Sequence, residues 1–168
     1  MPVDQPRTRV DAVEVRFADA SDLLEVAPLF LGYRAFYGVS STAPECEAFL
    51  RARLSQGESV IFVAEAKAPV AGLCGFAQLY PSWSSLSGGR VWILNDLFVT
   101  PDCRGLGVGR ALLRRVAEHG RTTGAASIVL STQRANTGAK ALYESEGYRL
   151  DREFDYYELT LQPSRAPA

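Results

Sequence analysis

The feature that most constrains the fold is the segment 90–120, in which an apolar run, a glycine-rich turn and a helical pattern follow one another. Residues 91–99 are almost wholly apolar, β-branched or aromatic, and Thr100-Pro101-Asp102 supplies turn residues, which together predict a buried strand running into a bend. Apolar residues at helical spacing from Val108 onward predict a helix. Three glycines stand at alternate positions between the two elements: Gly105, Gly107 and Gly109.

Glycines at the start of a helix favour an anion-binding site. The first-turn N–H groups of a helix have no intrahelical partner, and the helix dipole adds positive potential there. Arg104 and Arg110 flank the turn, so it suits more than one phosphate. Spacing excludes two other phosphate loops. The chain has no Gly-Lys-Ser/Thr tripeptide for a P-loop, and a dinucleotide fingerprint would need a small residue where Arg110 or Leu112 stands.

The pattern Arg-x-x-Gly-x-Gly, formed by Arg104, Gly107 and Gly109, resembles the acetyl-CoA pyrophosphate loop of the GNAT superfamily of N-acetyltransferases. Residues 95–101 resemble the central strand of that family, and residues 136–147, NTGAKALYESEG, resemble its second signature. The resemblance covers roughly residues 13–161. It implies an α+β, three-layer fold of the acyl-CoA N-acyltransferase type, with a mixed, mostly antiparallel sheet of about seven strands flanked by about four helices.

The rest of the chain is consistent with one domain over residues 12–161, with flexible termini at 1–11 and 162–168. Trp83 falls in a predicted loop, 81–89. Further strands are predicted at 12–18, 59–66, 70–80 and 127–132, and a closing pair is predicted at 148–150 and 154–161. A hairpin connection at 67–69 joins two of these strands. Helices are predicted at 21–36, at 43–54 and after Asn136.

Composition excludes several classes of protein. The 168 residues carry a net charge of −1, and no basic excess argues for a nucleic-acid partner. No apolar run of 18 residues and no leader segment occurs, which argues against a membrane span or secretion. Cys46, Cys74 and Cys103 lack paired metal-ligand spacing, so we expect free thiols in a reducing cytoplasm and no metal site. Cys103, beside the loop, is interpreted as a small filler.

The resemblance implies acetyl-CoA as the cofactor. The backbone of the central strand would bond the pantetheine arm and the acetyl oxygen, and Asn136 would bond pantetheine amides. Tyr143 would protonate the departing thiolate, because a phenol with a pKa near 10 keeps its proton at neutral pH. The implied cofactor-binding residues are Leu97, Phe98, Val99, Arg104, Gly105, Leu106, Gly107, Val108, Gly109, Arg110, Asn136, Thr137, Gly138, Ala139 and Tyr143.

The general base is where the chain departs from the polyamine/histone-type branch that it resembles. Polyamine acetyltransferases carry an acidic pair on the central strand, and Asn95 occupies the first of the two positions. An amide cannot take a proton from an ammonium. Asp96 keeps the second carboxylate, although adjacent strand side chains face opposite sides. Three accounts stay open: Asp96 acts through a water, another carboxylate such as Glu45 or Glu47 acts, or the amine loses its proton to solvent.

The candidate acceptor contacts are Tyr33, Tyr37, Trp83 and Asp96, although core packing explains either tyrosine equally well. His119, the only histidine, is expected to be solvated near a helix C-terminus, so no Ser-His or Cys-His pair indicates an acyl-enzyme. We therefore expect direct transfer of an acetyl group to a primary amine of a small molecule, such as a polyamine, an amino acid or an aminoglycoside. Alternatives are a protein lysine or N-terminal amine as acceptor, or a CoA-binding sensor without turnover. The resemblance also leaves open a homodimer, an assembly common in that family.

Overall fold

The computed structural model describes residues 13–66 and 72–161. The predicted flexible termini at 1–11 and 162–168, and the predicted connection at 67–69, lie outside the described residues. The elements in chain order are β1 (Val13–Phe17), a 3-10 turn (Ala20–Asp22), α1 (Leu23–Phe36), α2 (Ala43–Ser55), β2 (Val60–Ala66), β3 (Gly72–Ser84), β4 (Gly89–Val99), a second 3-10 turn (Pro101–Cys103), α3 (Val108–Thr122), β5 (Ser127–Val129) and α4 (Thr137–Ser145).

One mixed sheet with the strand order β1-β2-β3-β4-β5 forms the centre of the molecule. The first four strands pair antiparallel, and β5 pairs parallel to β4. This parallel pairing covers only residues 91–93 of β4. Beyond that point, the described chain places no strand against the same side of residues 94–99. The central strand is therefore open along its last six residues, and this opening positions the site described below.

Helices cover both faces of the sheet, because the strands carry apolar side chains on each face. On one face, Leu112, Leu113 and Val116 of α3 pack against strand residues including Phe62. On the other face, α1 and α2 pack against Phe76 and its neighbours. The predicted three-layer arrangement is confirmed, and α4 joins it by contacting α3. Among the described helices, none is both long enough and apolar enough to cross a bilayer.

Local signals determine where the helices begin and end. Thr42 and Glu45 form the predicted capping box at the start of α2, which satisfies first-turn N–H groups. Asp19 caps the 3-10 turn that leads into α1. Gly147 follows α4 with a φ of 90°, a left-handed conformation that favours glycine. These predicted helix boundaries are confirmed within a few residues.

The predicted count of about seven strands is wrong for the described part of the chain, which contains five. Residues 148–150 and 154–161 form no strand, although apolar side chains alternate with polar ones there. Alternation predicts an extended segment with one apolar face, but a strand forms only where an unpaired edge lies within reach. In the described chain this segment pairs with none of the five strands.

The expected loop at 81–89 is also wrong, because β3 continues to Ser84 and the turn to β4 is confined to residues 85–88. Trp83 therefore lies on a strand, where its ring is 71% exposed.

The expectation that His119 is solvated is wrong as well. His119 is only 8% exposed and contacts the rings of Phe17, Phe62 and Trp92. It continues the apolar stripe of α3, because positions 108, 112, 116 and 119 fall on one helical face. A position in the last turn of a helix therefore did not mean that this side chain is exposed.

Candidate active site

The larger of two adjoining cavities lies where the open part of β4 meets the N-termini of α3 and α4, and it has a volume of about 650 Å³. It brings together almost the whole predicted cofactor set. The predicted residues that line it are Leu97, Phe98, Val99, Arg104, Gly105, Leu106, Gly107, Val108, Gly109, Arg110, Asn136, Gly138, Ala139 and Tyr143, together with Tyr33 and Tyr37. Thr137 is not among the lining residues. Phe36, Cys103 and Leu142 line the cavity without having been predicted to do so.

The glycines of the loop have different structural roles. Gly105 and Gly107 have φ values of 78° and 90°, which favour glycine. Gly107 directly precedes α3, and a Cβ built on it would meet no atom within 4 Å, so this backbone faces open space. A Cβ on Gly109 would instead lie 3.0 Å from Leu142 Cδ2. Gly109 therefore allows α3 and α4 to pack closely, whereas Gly107 leaves the helix N-terminus accessible to a ligand.

The two arginines that flank the loop are already engaged with the protein. Arg104 donates from Nε to the Val99 carbonyl at 3.0 Å, and its guanidinium lies 5.7 Å from the centre of the Phe98 ring. The Val99 carbonyl thus already accepts one hydrogen bond from the protein. Arg110 forms an ion pair with Glu146, which also accepts a hydrogen bond from Arg114 Nε at 3.1 Å. This pairing ties the start of α3 to the end of α4.

Asn136, at the N-cap of α4, and Tyr143, within α4, both line the larger cavity. Asn136 caps α4 by accepting from the Ala139 N–H at 3.2 Å, and it donates from Nδ2 to Thr132 Oγ1 at 3.4 Å. The side-chain amide is thus engaged in holding the helix start. Tyr143 lines the cavity, and burial, followed by the nearby phenols of Tyr37 and Tyr148, raises its pKa to about 12. The phenol therefore keeps its proton across the neutral pH range.

The smaller cavity has a volume of about 360 Å³ and is lined by Tyr33, Tyr37, Asn95, Ser131, Thr132 and Gln133. It shares both tyrosines with the larger cavity. The last three of its lining residues were missed from the sequence, although a predicted strand ends there, and loops that follow strands commonly carry ligand contacts.

A close helix–sheet contact places Tyr33. A Cβ on Gly32 would lie 2.8 Å from Phe98 Cζ, so a larger residue here would force the Phe98 ring or α1 to move. Tyr33 then reaches the central strand and donates from its hydroxyl to the Asn95 carbonyl at 3.1 Å. The tyrosine shared by the two cavities is therefore held in place by a backbone contact on the sheet.

An irregularity in β4 separates the environments of Asn95 and Asp96. Gln78 of β3 is opposite Asp96, and the next residue, Leu79, is opposite Leu94, so Asn95 is an extra residue in β4. Asn95 is exposed and lines the smaller cavity, whereas Asp96 is 2% exposed and lines neither cavity. The two neighbouring side chains therefore differ in exposure, one facing the smaller cavity and the other buried.

Asp96 is buried in a polar network. Its carboxylate accepts from Gln78 Nε2 at 2.7 Å and from Asn95 Nδ2 at 3.1 Å. Burial raises the pKa of Asp96, and hydrogen bonds from Gln78, Tyr33 and Asn95 oppose this effect. Since Tyr33 has one hydroxyl proton, it can donate either to the Asn95 carbonyl or to Asp96. Tyr33 is thus the side chain that lies between the buried carboxyl and both cavities.

The other candidate side chains lie elsewhere. Glu45 accepts from the Thr42 N–H at 2.9 Å in the capping box, and Glu47 pairs with Arg51 at 2.6 Å. Trp83 lines neither cavity, and the guanidinium of Arg90 lies 5.3 Å from the centre of its ring. Within residues 13–66 and 72–161, no three His, Cys, Asp or Glu side chains are grouped closely enough to hold a metal ion.

Comparison with known proteins agrees with this arrangement. Residues 28–148 match the acetyltransferase (GNAT) family. The chain is 43% identical over 149 residues to the uncharacterized N-acetyltransferase YhfO of Bacillus subtilis, covering 89% of this chain and 98% of YhfO. It is 28% identical over 141 residues to the L-amino acid N-acyltransferase MnaT of Escherichia coli, covering 81% and 79% of the two chains.

A crystal structure of a probable acetyltransferase superposes with a TM-score of 0.83 at 42% identity, covering 89% of this chain and 99% of the other. The sequence match spans α1 to α4, which include the glycine loop, both cavities and Tyr143. This chain therefore belongs to the GNAT family of acetyltransferases.

Proposed function

We propose that this protein transfers an acetyl group from acetyl-CoA directly to the primary amine of a small molecule. The observation that carries the proposal is the pair of adjoining cavities that share Tyr33 and Tyr37. One cavity has the open N-terminus of α3 and the partly buried phenol of Tyr143, and the other has polar, uncharged walls. Direct transfer requires both substrates to be bound side by side, and the two cavities provide this arrangement.

The residues of the larger cavity fit coenzyme A. The first turn of α3 presents N–H groups that lack intrahelical partners, and the open space at Gly107 leaves room for a diphosphate against them. The unpaired side of β4 at residues 94–99 suits an amide-bearing arm that bonds as a strand would. When bound, acetyl-CoA supplies an acyl group activated as a thioester.

Tyr143 supplies a proton to the sulfur that leaves. The pKa of about 12 means that its phenol is protonated at any working pH, and its place in the cavity wall brings it to the cofactor side of the site. Phe36 and Leu142 add apolar surface to the same cavity.

Asp96 takes the proton that the acceptor ammonium must lose. It does so through the Tyr33 hydroxyl: as Tyr33 gives its own proton to the carboxylate, it takes the ammonium proton, and Asp96 ends the step protonated. The Asn95 side-chain amide donates a hydrogen bond to Asp96, and Asn95 also lines the acceptor cavity. An amide at this position therefore has a structural role in the site. The capping role of Glu45 and the pairing of Glu47 with Arg51 favour Asp96 over either of them.

The smaller cavity is the acceptor site. Its hydroxyl and amide walls and its volume of about 360 Å³ suit a small polar amine rather than a protein chain. Similarity to an L-amino acid N-acyltransferase supports amino acids as the first class to test, with polyamines and aminoglycosides next and protein amines last. We propose one catalytic domain over residues 12–161, working as a homodimer.

The test is release of free thiol from acetyl-CoA with a panel of amino acids, polyamines, aminoglycosides and a lysine peptide. We expect turnover with a small amine. Turnover with the peptide alone would contradict the acceptor class. Binding of CoA, measured by calorimetry, without turnover on any amine would contradict the enzyme and favour a CoA-binding sensor.

The role of Tyr143 has a matched control in Tyr148. Both tyrosines are partly buried with a pKa raised to about 12, and their ring centres are 5.9 Å apart, but Tyr148 does not line the cavity. Tyr143→Phe should lower kcat by roughly 10²-fold or more while leaving the Kd of CoA unchanged. Tyr148→Phe should leave kcat nearly unchanged, because its hydroxyl is buried without a hydrogen-bond partner among the described residues. Equal effects of the two substitutions would remove Tyr143 from the mechanism.

A further inference from the structure

Two of the three cysteines lie within hydrogen-bond reach of each other at the start of the glycine loop. Cys74 and Cys103 are each 1% exposed and belong to the core cluster beneath α3. Cys46 belongs to the cluster on the other face of the sheet. All three thiols are free. The two neighbouring cysteines are distant in sequence, so only the folded chain brings them together.

A bulge in β3 places Cys74. In the pairing with β2, Gly75 is opposite Ala64 and Leu73 is opposite Glu65, so Cys74 is an extra residue in β3. The Cys74 thiol donates to the Ala64 carbonyl at 3.3 Å. Bulges re-aim side chains next to functional sites. This one leaves Cys74 outside the regular strand pairs, with its sulfur in the core beneath α3.

The 3-10 turn that follows β4 places Cys103. The Thr100 N–H donates to the Cys74 carbonyl at 2.9 Å, and the Cys103 N–H donates to the Thr100 carbonyl at 3.0 Å. These hydrogen bonds connect the backbones of the two cysteines through a single residue. Burial, followed by the charge and hydrogen bonding of the Cys103 thiol, raises the pKa of Cys74 to about 11. The two thiols therefore interact directly.

Only one of the two thiols borders a cavity. Cys103 lines the larger cavity, whereas Cys74 lines neither cavity. A small solute that enters the larger cavity therefore reaches Cys103 first. The raised pKa of Cys74 disfavours its thiolate, which is the reactive form. A cysteine that an oxidant can reach, with a second cysteine poised beside it, is the arrangement of redox-sensitive pairs.

We propose that Cys74 and Cys103 are a site of oxidative modification, at which a peroxide converts the two thiols to a disulfide. The Cys103 sulfur attacks one peroxide oxygen, the O–O bond breaks, and the products are a sulfenic acid and water. The Cys74 sulfur then attacks the Cys103 sulfur, and the S–O bond breaks. The hydroxyl group leaves as water with the proton of the Cys74 thiol. The thiols thus lose two electrons and two protons, and the peroxide takes up both.

The disulfide would displace the glycine loop, because Cys103 directly precedes it. Bonded sulfurs lie roughly 2 Å apart, closer than two thiols in a hydrogen bond, so the 3-10 turn must move toward β3. The next residue, Arg104, begins the loop and donates to the Val99 carbonyl. A shift here moves Gly107 and the N-terminus of α3. Oxidation therefore lowers the affinity for the cofactor, a consequence that rests on the proposed function.

The test treats the reduced full chain with hydrogen peroxide and follows its free thiols and its intact mass. We expect two of the three thiols to disappear, with a loss of mass equal to two hydrogen atoms, and dithiothreitol to reverse both changes. A peptide map should join Cys74 to Cys103. The matched control Cys46→Ala removes a buried thiol from the other core cluster and should form the same disulfide.

The variant Cys74→Ala separates the two steps of the reaction. Without the second thiol, Cys103 should stop at the sulfenic acid or a higher oxide, and the chain should gain oxygen instead of losing hydrogen. No disulfide in the parent chain, or one that joins Cys46 or two copies of the chain, would overturn the proposal. The peptide map of the parent chain decides this without depending on how well a variant folds.

The effect on the loop is measured separately, by calorimetry with acetyl-CoA before and after oxidation. Acetyl-CoA is used because it has no free thiol to reduce the disulfide. We expect its Kd to rise roughly tenfold or more, the effect of losing one hydrogen bond to the charged diphosphate, and to recover after reduction and removal of the reductant. Cys46→Ala should respond as the parent chain does. An unchanged Kd would overturn the effect on the loop. A reduced chain that does not bind acetyl-CoA would contradict the proposed function, while the thiol measurement would still decide the disulfide.

Discussion

At the scale of single residues, the buried polar network around Asp96 is the feature most directly tied to activity. Gln78 is fully buried, and its amide donates to both Asp96 and the Tyr80 hydroxyl, at 2.7 and 2.9 Å, while Ser59 donates to its carbonyl oxygen at 3.2 Å. A buried carboxylate without donors would be held neutral. Gln78 therefore favours the ionised form of Asp96, which is the form that can accept a proton, in spite of its burial.

This leads to a prediction for the pH dependence of activity. Asp96 accepts a proton only when ionised, so kcat/KM should rise with pH through its raised pKa. Gln78→Leu removes a hydrogen bond that lowers this pKa, so the acidic limb should move to higher pH. The measurement is the pH profile of kcat/KM. Ser59→Ala, which removes only the hydrogen bond to the Gln78 carbonyl oxygen and does not touch Asp96, should leave the limb in place. If Gln78→Leu does not move the acidic limb of the kcat/KM profile, the amine loses its proton to solvent instead of to Asp96.

At the scale of elements, the start of α3 combines an open N-terminus with close packing against α4. The two functions belong to different glycines, since Gly107 faces open space and Gly109 faces Leu142. The ion pair between Arg110 and Glu146 reinforces the same helix contact. The glycine loop therefore serves two purposes: it packs against α4, which carries Tyr143, and it leaves the N-terminus of α3 open to a ligand.

Gly107→Val is expected to abolish detectable CoA binding. The substitution strains a backbone with a φ of 90° and places methyl groups in the open space at the helix start. Gly124→Val is the matched control, because Gly124 follows the other end of α3 with a φ of 66° and equally open surroundings. Both variants should lose about 1–2 kcal/mol of stability from the left-handed conformation. Calorimetry with CoA should show lost affinity for the first alone, and retained affinity in Gly107→Val would contradict the placement of the diphosphate.

At the scale of the whole molecule, His119 links folding stability to pH. Burial lowers its pKa below the ordinary 6.5, and the charges of Arg115 and Arg90 act in the same direction. Below pH 6.5 the unfolded chain therefore binds a proton that the folded chain resists, so this contribution to stability is complete above about pH 6.5 and is lost as the pH falls. Thermal unfolding followed from pH 7.5 to 5 should show a smaller loss of Tm for His119→Phe than for the parent chain. Equal losses would mean that His119 does not titrate in this range.

Much of the fold could be predicted from the sequence because its signals are local. The glycine loop, the capping box at Thr42 and the apolar periodicity of α3 each act within a few residues. Asn95 as an extra residue in β4 could not be predicted, because a bulge is defined by pairing with β3. The state of residues 150–161 could not be predicted either, since alternation indicates an extended segment but does not say whether that segment pairs with another strand.

The two tyrosines shared by the cavities also bear on inhibition. A single compound that joins a nucleotide-like half to an amine-like half would cross the boundary at Tyr33 and Tyr37 and occupy both volumes. Binding of the first half would hold the second at a high effective concentration, so a short tether should yield selectivity that neither half has alone. The side chains of Tyr33 and Tyr37 would limit how bulky the linker between the two halves can be.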